Sequence, residues 1–193
     1  MTSAERPSAG APGVLVDRDG TLIRDVGHLS RVEQIEVLPR AADALRLLRE
    51  RGLKIAIVTN QSAVGRGLLD EKGLEEIHRE LVKRLAAGGA SVDAIYYCPH
   101  HPTEAVGAYR MRCDCRKPDT GMALRAAAEL NLDLARSYMI GDKPSDMDLA
   151  ARIGARGILL DAERAGNSAA AVCDIWEAAE RVVADLEARA RSC

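Results

Sequence analysis

Two acidic residues stand one residue apart near the start of the chain. Asp17 and Asp19 follow the apolar run Val14–Val16, and Gly20 comes next. A carboxylate at the end of a buried strand can act as a nucleophile on phosphorus and form an aspartyl-phosphate. A second carboxylate can protonate the leaving oxygen, and the N–H groups of a glycine turn can bind an anion. The spacing therefore indicates phosphoryl transfer, although a polar turn would have the same composition.

Three later segments carry side chains that suit the same chemistry. Hydroxyl and amide groups at Thr59, Asn60 and Gln61 can hold phosphoryl oxygens. Lys117 can neutralise the charge that spreads over a transferring phosphoryl group. Asp142 offers the hard oxygen ligand that Mg²⁺ prefers. Each segment alone is compatible with a turn, a solvated basic pair or a helix cap, so the indication depends on their joint presence.

A cysteine-rich segment offers a second kind of chemistry. Cys98, Cys113 and Cys115 lie close together in the chain, with a histidine at positions 100 and 101. Three thiolates and one imidazole form a closed tetrahedral zinc site, in which the metal has a structural role. Such a site would stabilise the loop of residues 98–115, because metal binding supplies folding free energy. Reduced thiols without metal, beside a surface histidine, are the alternative.

The hydrophobic pattern predicts buried strands that alternate with helices. The predicted strands are Val14–Val16, Lys54–Thr59, Ala94–Tyr97, Ser137–Ile140 and Gly157–Leu160. The predicted helices cover residues 40–51, 71–87, 121–130, 144–152 and 174–190. This alternation is typical of a parallel sheet covered on both faces, in which ligands bind at the carboxyl ends of the strands. We therefore expect the polar residues that follow the strands to meet at one edge of the sheet.

The composition excludes several classes of protein. The chain has 193 residues, of which 47% are hydrophobic, and 27 basic residues balance 29 acidic ones. These values exclude collagen-like, mucin-like and fully disordered chains. The net charge of −2 argues against a large nucleic-acid-binding face. No apolar run approaches the roughly 18 residues of a membrane-spanning helix. We expect a small-molecule substrate, and neither a nucleic-acid nor a membrane partner.

The chain length predicts one domain, at residues 13–190, after a disordered leader at residues 1–12. The leader lacks the apolar segment of a signal peptide, so we expect a cytoplasmic protein. In that compartment the cysteines are expected as thiols or metal ligands rather than as disulfides. We expect a monomer. Outside the motifs, His78 is predicted to be a surface or packing residue, and Trp176 to anchor the last helix.

The four strand-end segments, in this order, resemble those of the haloacid dehalogenase superfamily of phosphatases. The resemblance covers nearly all of residues 13–161. It implies a Rossmann-like α/β fold, with a central parallel sheet flanked by helices and no large cap domain.

The same resemblance implies a role for each motif residue. Asp17 corresponds to the nucleophile and Asp19 to the general acid and base. Thr59 and Lys117 correspond to residues that stabilise the phosphoryl group. Mg²⁺ would be held by Asp17, by the backbone carbonyl of Asp19 and by Asp142.

Five stretches point to one smaller family within this superfamily: VDRDGTL, TNQSAVGRG, IYYCPHHP, CDCRKP and YMIGDKPSDM. They are similar to the D-glycero-D-manno-heptose 1,7-bisphosphate 7-phosphatases, in the zinc-containing branch that also includes histidinol phosphatases. This family removes the 7-phosphate and leaves heptose 1-phosphate, a step towards nucleotide-activated heptose. The resemblance implies a structural Zn²⁺ held by Cys98, His100, Cys113 and Cys115, and thus favours His100 over His101.

The family resemblance also implies a set of substrate contacts. The segment from Asp25 to His28 matches the place where family members contact the sugar, although it reads D-V-G-H instead of D-H-G-Y. Arg116 suits the second anionic group of the substrate, because its planar fork favours bidentate contact. Asp146 is expected to orient its loop. The expected substrate-binding residues are Asp25, Gly27, His28, Thr59, Asn60, Gln61, Ser62, Arg116, Lys117 and Lys143.

Other functions remain open at this point. Histidinol-phosphate phosphatase is the nearest alternative, because it resembles the chain in both the acids and the zinc loop. A DNA 3′-phosphatase shares the strand-end motifs, but the net charge, the few aromatic residues and the zinc loop disfavour it. A zinc-stabilised binding module without activity belongs to a different class. The sequence leaves open the preferred anomer, hence an ADP-linked or GDP-linked product. It also leaves open whether the end product is a surface glycan, such as lipopolysaccharide, or a secondary metabolite.

Overall fold

A parallel β-sheet forms the centre of the chain in a computed structural model, which describes residues 10–163 and 171–191. The strands are β1 (Gly13–Val16), β2 (Lys54–Asn60), β3 (Ala94–Cys98), β4 (Tyr138–Gly141), β5 (Arg156–Leu160) and β6 (Ala171–Val172). The helices are α1 (Ala41–Glu50), α2 (Ser62–Gly65), α3 (Glu71–Ala87), α4 (Gly121–Leu130), α5 (Pro144–Ile153) and α6 (Ile175–Arg191). In the sheet the strands follow the order β3-β2-β1-β4-β5-β6, and all neighbouring pairs are parallel.

The predicted α/β architecture is confirmed, and most predicted elements agree with the observed ones to within one or two residues. Two of the α-helices and strands listed above were missed. One is α2, a single turn that begins at Ser62, and the other is β6, a strand of two residues. Both are too short to produce a periodic pattern in the sequence, and β6 is defined only by its pairing with β5.

Apolar side chains that alternate in direction along the strands form two layers, one on each face of the sheet. In β1, Val14 and Val16 point into the layer that α1, α3 and α6 cover. Leu15 points into the opposite layer, which α4 and α5 cover. Successive side chains of a strand face opposite sides of a sheet, so a fully apolar strand such as β1 belongs between two helical layers. The core therefore consists of two mainly aliphatic layers, one on each face of the sheet.

The buried stripe of α3 differs from the predicted one at two positions. Val82 was expected to face inward, but it is 37% exposed. The buried positions are Leu74, Ile77, His78, Leu81 and Leu85. This set follows the helical spacing of three and four residues, and Val82 lies one residue beyond it. His78 therefore belongs to the buried face.

The two ends of the predicted domain also contact the core. Residues 1–9 of the predicted leader lie outside the described residues. Residues 10–12 are described, and Ala11 pairs with the segment before β4 through hydrogen bonds to Asn131 and Asp133, so these three residues join the fold, unlike the prediction. At the other end, Trp176 packs against the core beneath the guanidinium of Arg40, which lies 3.7 Å from its ring centroid.

The order of the strands determines where a ligand can bind. The chain runs outward from β1 through β2 to β3, and then crosses to the other side of β1 to form β4 and β5. Loops that leave β1 and β4 therefore diverge and open a crevice at the carboxyl ends of these strands. The backbone N–H of Asp17 donates to Ile140 O at 2.9 Å and closes the base of this crevice.

No large cap domain interrupts the described residues. The connection from β1 to β2 consists of loops, a short 3₁₀ turn at Val32–Gln34 and α1. The connection from β3 to α4 is a loop with one 3₁₀ turn at Gly107–Tyr109. Within residues 10–163 and 171–191, no helix combines the length and the apolar character needed to cross a bilayer.

Replacing Leu45 by alanine should destabilise the fold. Leu45 is fully buried between α1 and the sheet, so Leu45→Ala removes apolar contacts and leaves a cavity. We expect a loss of about 2 to 5 kcal/mol in the free energy of unfolding, measured by urea denaturation. Leu124→Ala is the matched control, because Leu124 on α4 is 54% exposed, and it should change stability by less than about 0.5 kcal/mol. Equal losses in the two variants would contradict this description of the core.

Candidate active site and metal centre

Asp17 lies directly after β1 at the base of the crevice and is 3% exposed. Its Oδ1 accepts a hydrogen bond from the backbone N–H of Arg18 at 2.8 Å. The ammonium group of Lys117 also lies 2.8 Å from the same oxygen. A buried carboxylate is costly unless it is paired, and here a buried cation and a backbone donor pair it.

Lys117 connects three parts of the site. Its Nζ lies 2.7 Å from Asp146 Oδ1 and donates to Val58 O at 2.8 Å, in addition to its contact with Asp17. Burial alone would lower the pKa of Lys117, but the carboxylates of Asp17 and Asp146 raise it above its ordinary value. The side chain therefore holds a fixed positive charge between the end of β1, β2 and the start of α5.

Asn60 positions the backbone around Lys117. Its amide nitrogen donates to Lys117 O at 3.1 Å, and its amide oxygen accepts from Lys117 N at 3.0 Å. Asn60 was expected among the substrate-binding residues. Although it borders the crevice, both ends of its amide bind the protein backbone. Its contribution in this structure is to the position of Lys117.

A cluster of three carboxylates stands beside this lysine. Oxygens of Asp17, Asp142 and Asp146 all lie within 4.8 Å of one another. Burial is the main cause that raises the pKa of Asp142 to about 6. The positive charge of Lys143 lowers this pKa, whereas repulsion by Asp17 and Asp146 raises it. Burial also raises the pKa of Asp146. Asp142 Oδ1 is buried and has no hydrogen-bond partner among the described residues.

This cluster fits a hard divalent cation. Carboxylate oxygens are the ligands that Mg²⁺ prefers, and a cation would pair the orphaned oxygen of Asp142 and relieve the repulsion. Asp17 and Asp142 belong to the predicted magnesium set. Asp146, which was expected to orient its loop, accepts a hydrogen bond from Lys143 N at 3.1 Å and so bridges the loop to Lys117.

Asp19 lies in a different environment from Asp17. The guanidinium of Arg18 donates to both of its oxygens, at 3.1 Å to Oδ2 and 3.0 Å to Oδ1. Gln61 Nε2 donates to Oδ2 at 2.7 Å and also lies 2.8 Å from Thr59 Oγ1. A planar fork and an amide therefore fix the orientation of this carboxylate at the mouth of the crevice.

Most of the predicted substrate-binding residues line one small cleft. Asp25, Gly27, His28, Ser62 and Lys143 line a cleft of about 50 Å³ together with residues of the polar network. The ammonium of Lys143 lies 2.9 Å from Asp25 Oδ2. Burial alone would raise the pKa of Asp25, but the hydrogen bonds from Lys143 and from Gly27 N–H bring it below its ordinary value. This pair closes one side of the cleft.

Arg116 lies in a neighbouring groove and not in this cleft. The groove has a volume of about 320 Å³, and Arg112, Arg116 and Lys117 contribute to its wall. The guanidinium of Arg116 donates to His100 O at 3.0 Å, which fixes it to the cysteine-rich loop. Arg116 therefore lines a different depression from the one that Asp25 and Lys143 line.

The cysteine-rich loop brings four soft ligands together. The Sγ atoms of Cys98, Cys113 and Cys115 are 3.2 to 3.5 Å apart, and His100 Nδ1 lies 3.3 Å from Cys115 Sγ. Tetrahedral ligands at a Zn–S length of about 2.3 Å would lie a little under about 4 Å apart, so the set has the size of a zinc site. Burial raises the pKa of Cys115 to about 11, and burial and the neighbouring thiols raise that of Cys98. A bound cation would favour the thiolates.

His101 is not part of this cluster. Its Nδ1 accepts hydrogen bonds from the backbone N–H groups of Thr103 and Glu104, at 3.4 Å and 3.0 Å. The loop also contacts the body of the domain through Val106 N–H, which donates to Gly65 O at 2.8 Å. Because the cluster directly precedes Arg116 and Lys117, it also restrains the segment that carries the buried lysine.

Comparison with known proteins identifies relatives along most of the chain. A HAD-hydrolase-like family model matches residues 114–188. The D-glycero-β-D-manno-heptose-1,7-bisphosphate 7-phosphatase of Yersinia pestis is 42% identical over 147 residues, which are 75% of this chain and 78% of the relative. The enzyme of the same name from Escherichia coli K12 is 41% identical over 75% of this chain and 77% of its own length.

The chain belongs to the heptose 1,7-bisphosphate 7-phosphatase family. A solved D,D-heptose 1,7-bisphosphate phosphatase from B. bronchiseptica, in complex with magnesium and phosphate, has the same fold with a TM-score of 0.77. It is 29% identical and covers 90% of this chain and 99% of its own. This membership agrees with the family resemblance of the motifs, and magnesium in the relative agrees with the oxygen ligands of this chain.

Sequence reasoning missed two residues of the polar network around Asp19 in this chain. Arg18 stands between the two acids of the first motif, and it is 1% exposed. The sequence signal for Arg18 was its position between Asp17 and Asp19 in the D-R-D-G motif. His78 lies 3.3 Å from the Arg18 guanidinium. Its spacing of four residues from Leu74 and three from Leu81 indicates the buried face of α3.

Replacing Gly20 by alanine should damage the metal site specifically. Gly20 has a φ of +83°, and a Cβ there would lie 2.2 Å from Asp142 Oδ2, so Asp142 would have to move. We expect Gly20→Ala to raise the Mg²⁺ concentration needed for half-maximal phosphatase activity at least tenfold. Gly52→Ala is the matched control, because Gly52 has a φ of +77° with open space around the position of a Cβ.

The two variants share the backbone strain of a positive φ, which costs about 1 to 2 kcal/mol. Only Gly20→Ala displaces Asp142, so thermal unfolding should change similarly in both, while the magnesium titration should separate them. Identical magnesium requirements would contradict the assignment of Asp142 to the metal site.

Proposed function

We propose that the chain is a Mg²⁺-dependent phosphatase that hydrolyses the 7-phosphate of D-glycero-β-D-manno-heptose 1,7-bisphosphate, in nucleotide-activated heptose biosynthesis. The observation that carries the reaction type is Lys117 buried between Asp17 and Asp146, beside the unpaired oxygen of Asp142. The names of the relatives support the substrate and its β anomer. They also favour heptose bisphosphate over histidinol phosphate.

Asp17 is the proposed nucleophile. When bound, Mg²⁺ supplies positive charge that lets a carboxylate and a phosphate approach each other, and Asp17, Asp142 and the backbone carbonyl of Asp19 would hold it. Lys117 and Thr59 stabilise the phosphoryl group. An oxygen of Asp17 attacks phosphorus, the bond from phosphorus to the C7 oxygen breaks, and Asp19 gives a proton to that oxygen. The products of this step are heptose 1-phosphate and a phosphorylated Asp17.

The second step restores the enzyme. Asp19, now ionised, takes a proton from a water molecule, whose oxygen attacks phosphorus. The bond between phosphorus and Asp17 breaks, inorganic phosphate leaves, and Asp17 is again a carboxylate. Both steps need Asp19 in a defined orientation, which the contacts with Arg18 and Gln61 provide.

Substrate selection is proposed to use the two neighbouring depressions. The cleft that Asp25, Gly27 and His28 line is the proposed place of the sugar, with Ser62 and Lys143 beside the reacting phosphate. The groove of Arg116 is the proposed place of the 1-phosphate. The proposal also includes the monomeric state and the cytoplasmic location expected from the sequence.

Zinc is proposed to be a structural metal. Cys98, His100, Cys113 and Cys115 would occupy all four tetrahedral positions and leave none for a substrate. The metal would hold the loop that leads into Arg116 and Lys117. Its contribution to activity would therefore be indirect.

Phosphate release tests the proposed activity. With Mg²⁺, we expect kcat/KM to be higher for the β anomer of the heptose bisphosphate than for the α anomer or for histidinol phosphate. Asp17→Asn should reduce turnover at least a thousandfold, because the amide cannot attack phosphorus. Asp43→Asn, on the exposed face of α1, is the control and should keep wild-type turnover. Wild-type activity of Asp17→Asn would refute the mechanism, and preference for histidinol phosphate would refute the substrate.

Removing a zinc ligand should destabilise the loop. We expect native mass spectrometry to find one zinc ion per wild-type chain and none in Cys113→Ser. The midpoint of thermal unfolding of this variant should fall by several degrees, since metal binding contributes folding free energy. Cys173→Ser is the control, because Cys173 is exposed and outside the cluster, and it should retain the zinc and the midpoint. A wild-type chain without zinc would contradict the proposal.

A further inference from the structure

His78 is a buried polar residue that no step of the reaction uses. It lies on α3 and is 8% exposed, and its ring packs against Tyr97 with a centroid separation of 5.7 Å. Its Nε2 lies 3.3 Å from Nη1 of Arg18. A buried imidazole next to a guanidinium is unfavourable unless the two groups form a hydrogen bond without a second positive charge.

The chemistry of the two groups fixes the direction of this bond. A guanidinium has five N–H donors and no acceptor, so Nε2 must be the acceptor. The proton of the neutral ring then lies on Nδ1. Burial, and then the charge of Arg18, lower the pKa of His78 to about 3, which keeps the ring neutral. His78 is therefore an acceptor for Arg18 and adds no charge to the site.

Arg18 depends on such acceptors because its side chain is 1% exposed. Its Nε and Nη2 face Asp19, and Nη2 also donates to Gln61 Oε1 at 2.7 Å. His78 accepts on the remaining nitrogen, Nη1. Acceptors on two sides fix the plane of the guanidinium, and that plane determines where the fork holds the carboxylate of Asp19.

We propose that His78 is a positioning residue for Asp19 and acts through Arg18. The inference rests on the proposed phosphatase function, and specifically on Asp19 as the donor of a proton to the leaving oxygen. Proton transfer requires the donor within hydrogen-bond reach and in the correct direction. Loss of the acceptor at position 78 leaves an N–H of Arg18 unpaired, so the fork rotates and Asp19 loses its alignment.

Two substitutions separate the hydrogen bond from the packing. His78→Gln keeps an acceptor oxygen at a reach similar to that of Nε2. His78→Met has a similar length and fills the buried space, but it offers only a weak acceptor. The substrates are the heptose bisphosphate, whose alkoxide must be protonated as it leaves, and p-nitrophenyl phosphate, whose nitrophenolate leaves without a proton.

We expect His78→Met to lower kcat/KM for the heptose bisphosphate at least tenfold and for p-nitrophenyl phosphate less than threefold. KM for the sugar should change little. His78→Gln should stay within threefold of the wild type on both esters, and all three proteins should unfold at similar temperatures. Equal losses on the two esters, or equal activity of the Gln and Met variants, would overturn the proposal in favour of packing alone.

A spectroscopic readout tests the contact without activity. The chain has four histidines, so the ring nitrogens of His78 can be assigned in ¹⁵N NMR spectra. At neutral pH we expect a neutral ring with the proton on Nδ1 and an unprotonated Nε2. A proton on Nε2 would overturn the proposal even where a variant fails to fold. A wild-type protein that hydrolyses neither ester would instead refute the proposed function, whatever the tautomer of His78.

Discussion

The contact of the Lys117 ammonium with Asp17 and Asp146 is the interaction on which the site depends. Lys117 is almost fully buried, and its charge is tolerable only because two carboxylates and the carbonyl of Val58 surround it. These partners come from the end of β1, from β2 and from the start of α5. One cation thus ties together segments that are far apart in the sequence, at the point where the order of the strands opens the crevice.

This contact requires a well-placed loop. Lys117 lies outside the helices and strands, after a long connection from β3, and such a segment has little apolar surface to hold it. Two restraints compensate. Asn60 binds both backbone groups of Lys117, and the cysteine cluster ends only two residues earlier at Cys115. The proposed zinc ion would therefore support phosphoryl transfer by fixing the backbone that precedes the lysine.

Local patterns were enough to predict the layered parallel sheet and the acids at its edge, because apolar runs and strand-end residues are visible in a single sequence. Contacts that depend on two distant segments were not visible. Val82 was placed on the buried face of α3, whereas His78 occupies it, and the spacing of His78 from Leu74 and Leu81 was a signal in the sequence that was not used. Asn60 stays a predicted substrate-binding residue, but its two hydrogen bonds to the backbone of Lys117 were not visible in the sequence. Arg18 was passed over because arginine is usually exposed.

The two acids of the first motif show how environment divides one residue type into two roles. Asp17 has a lysine beside it, a compact charge that offsets negative charge on an attacking carboxylate and on phosphate. Asp19 has planar groups beside it, the fork of Arg18 and the amide of Gln61, which pair its charge and also fix its direction. Nucleophilic attack depends on compensation of charge, and proton transfer depends on alignment. The surroundings of each carboxylate therefore match the role proposed for it, and in the same proposal the acceptor at His78 extends the alignment of Asp19 to α3.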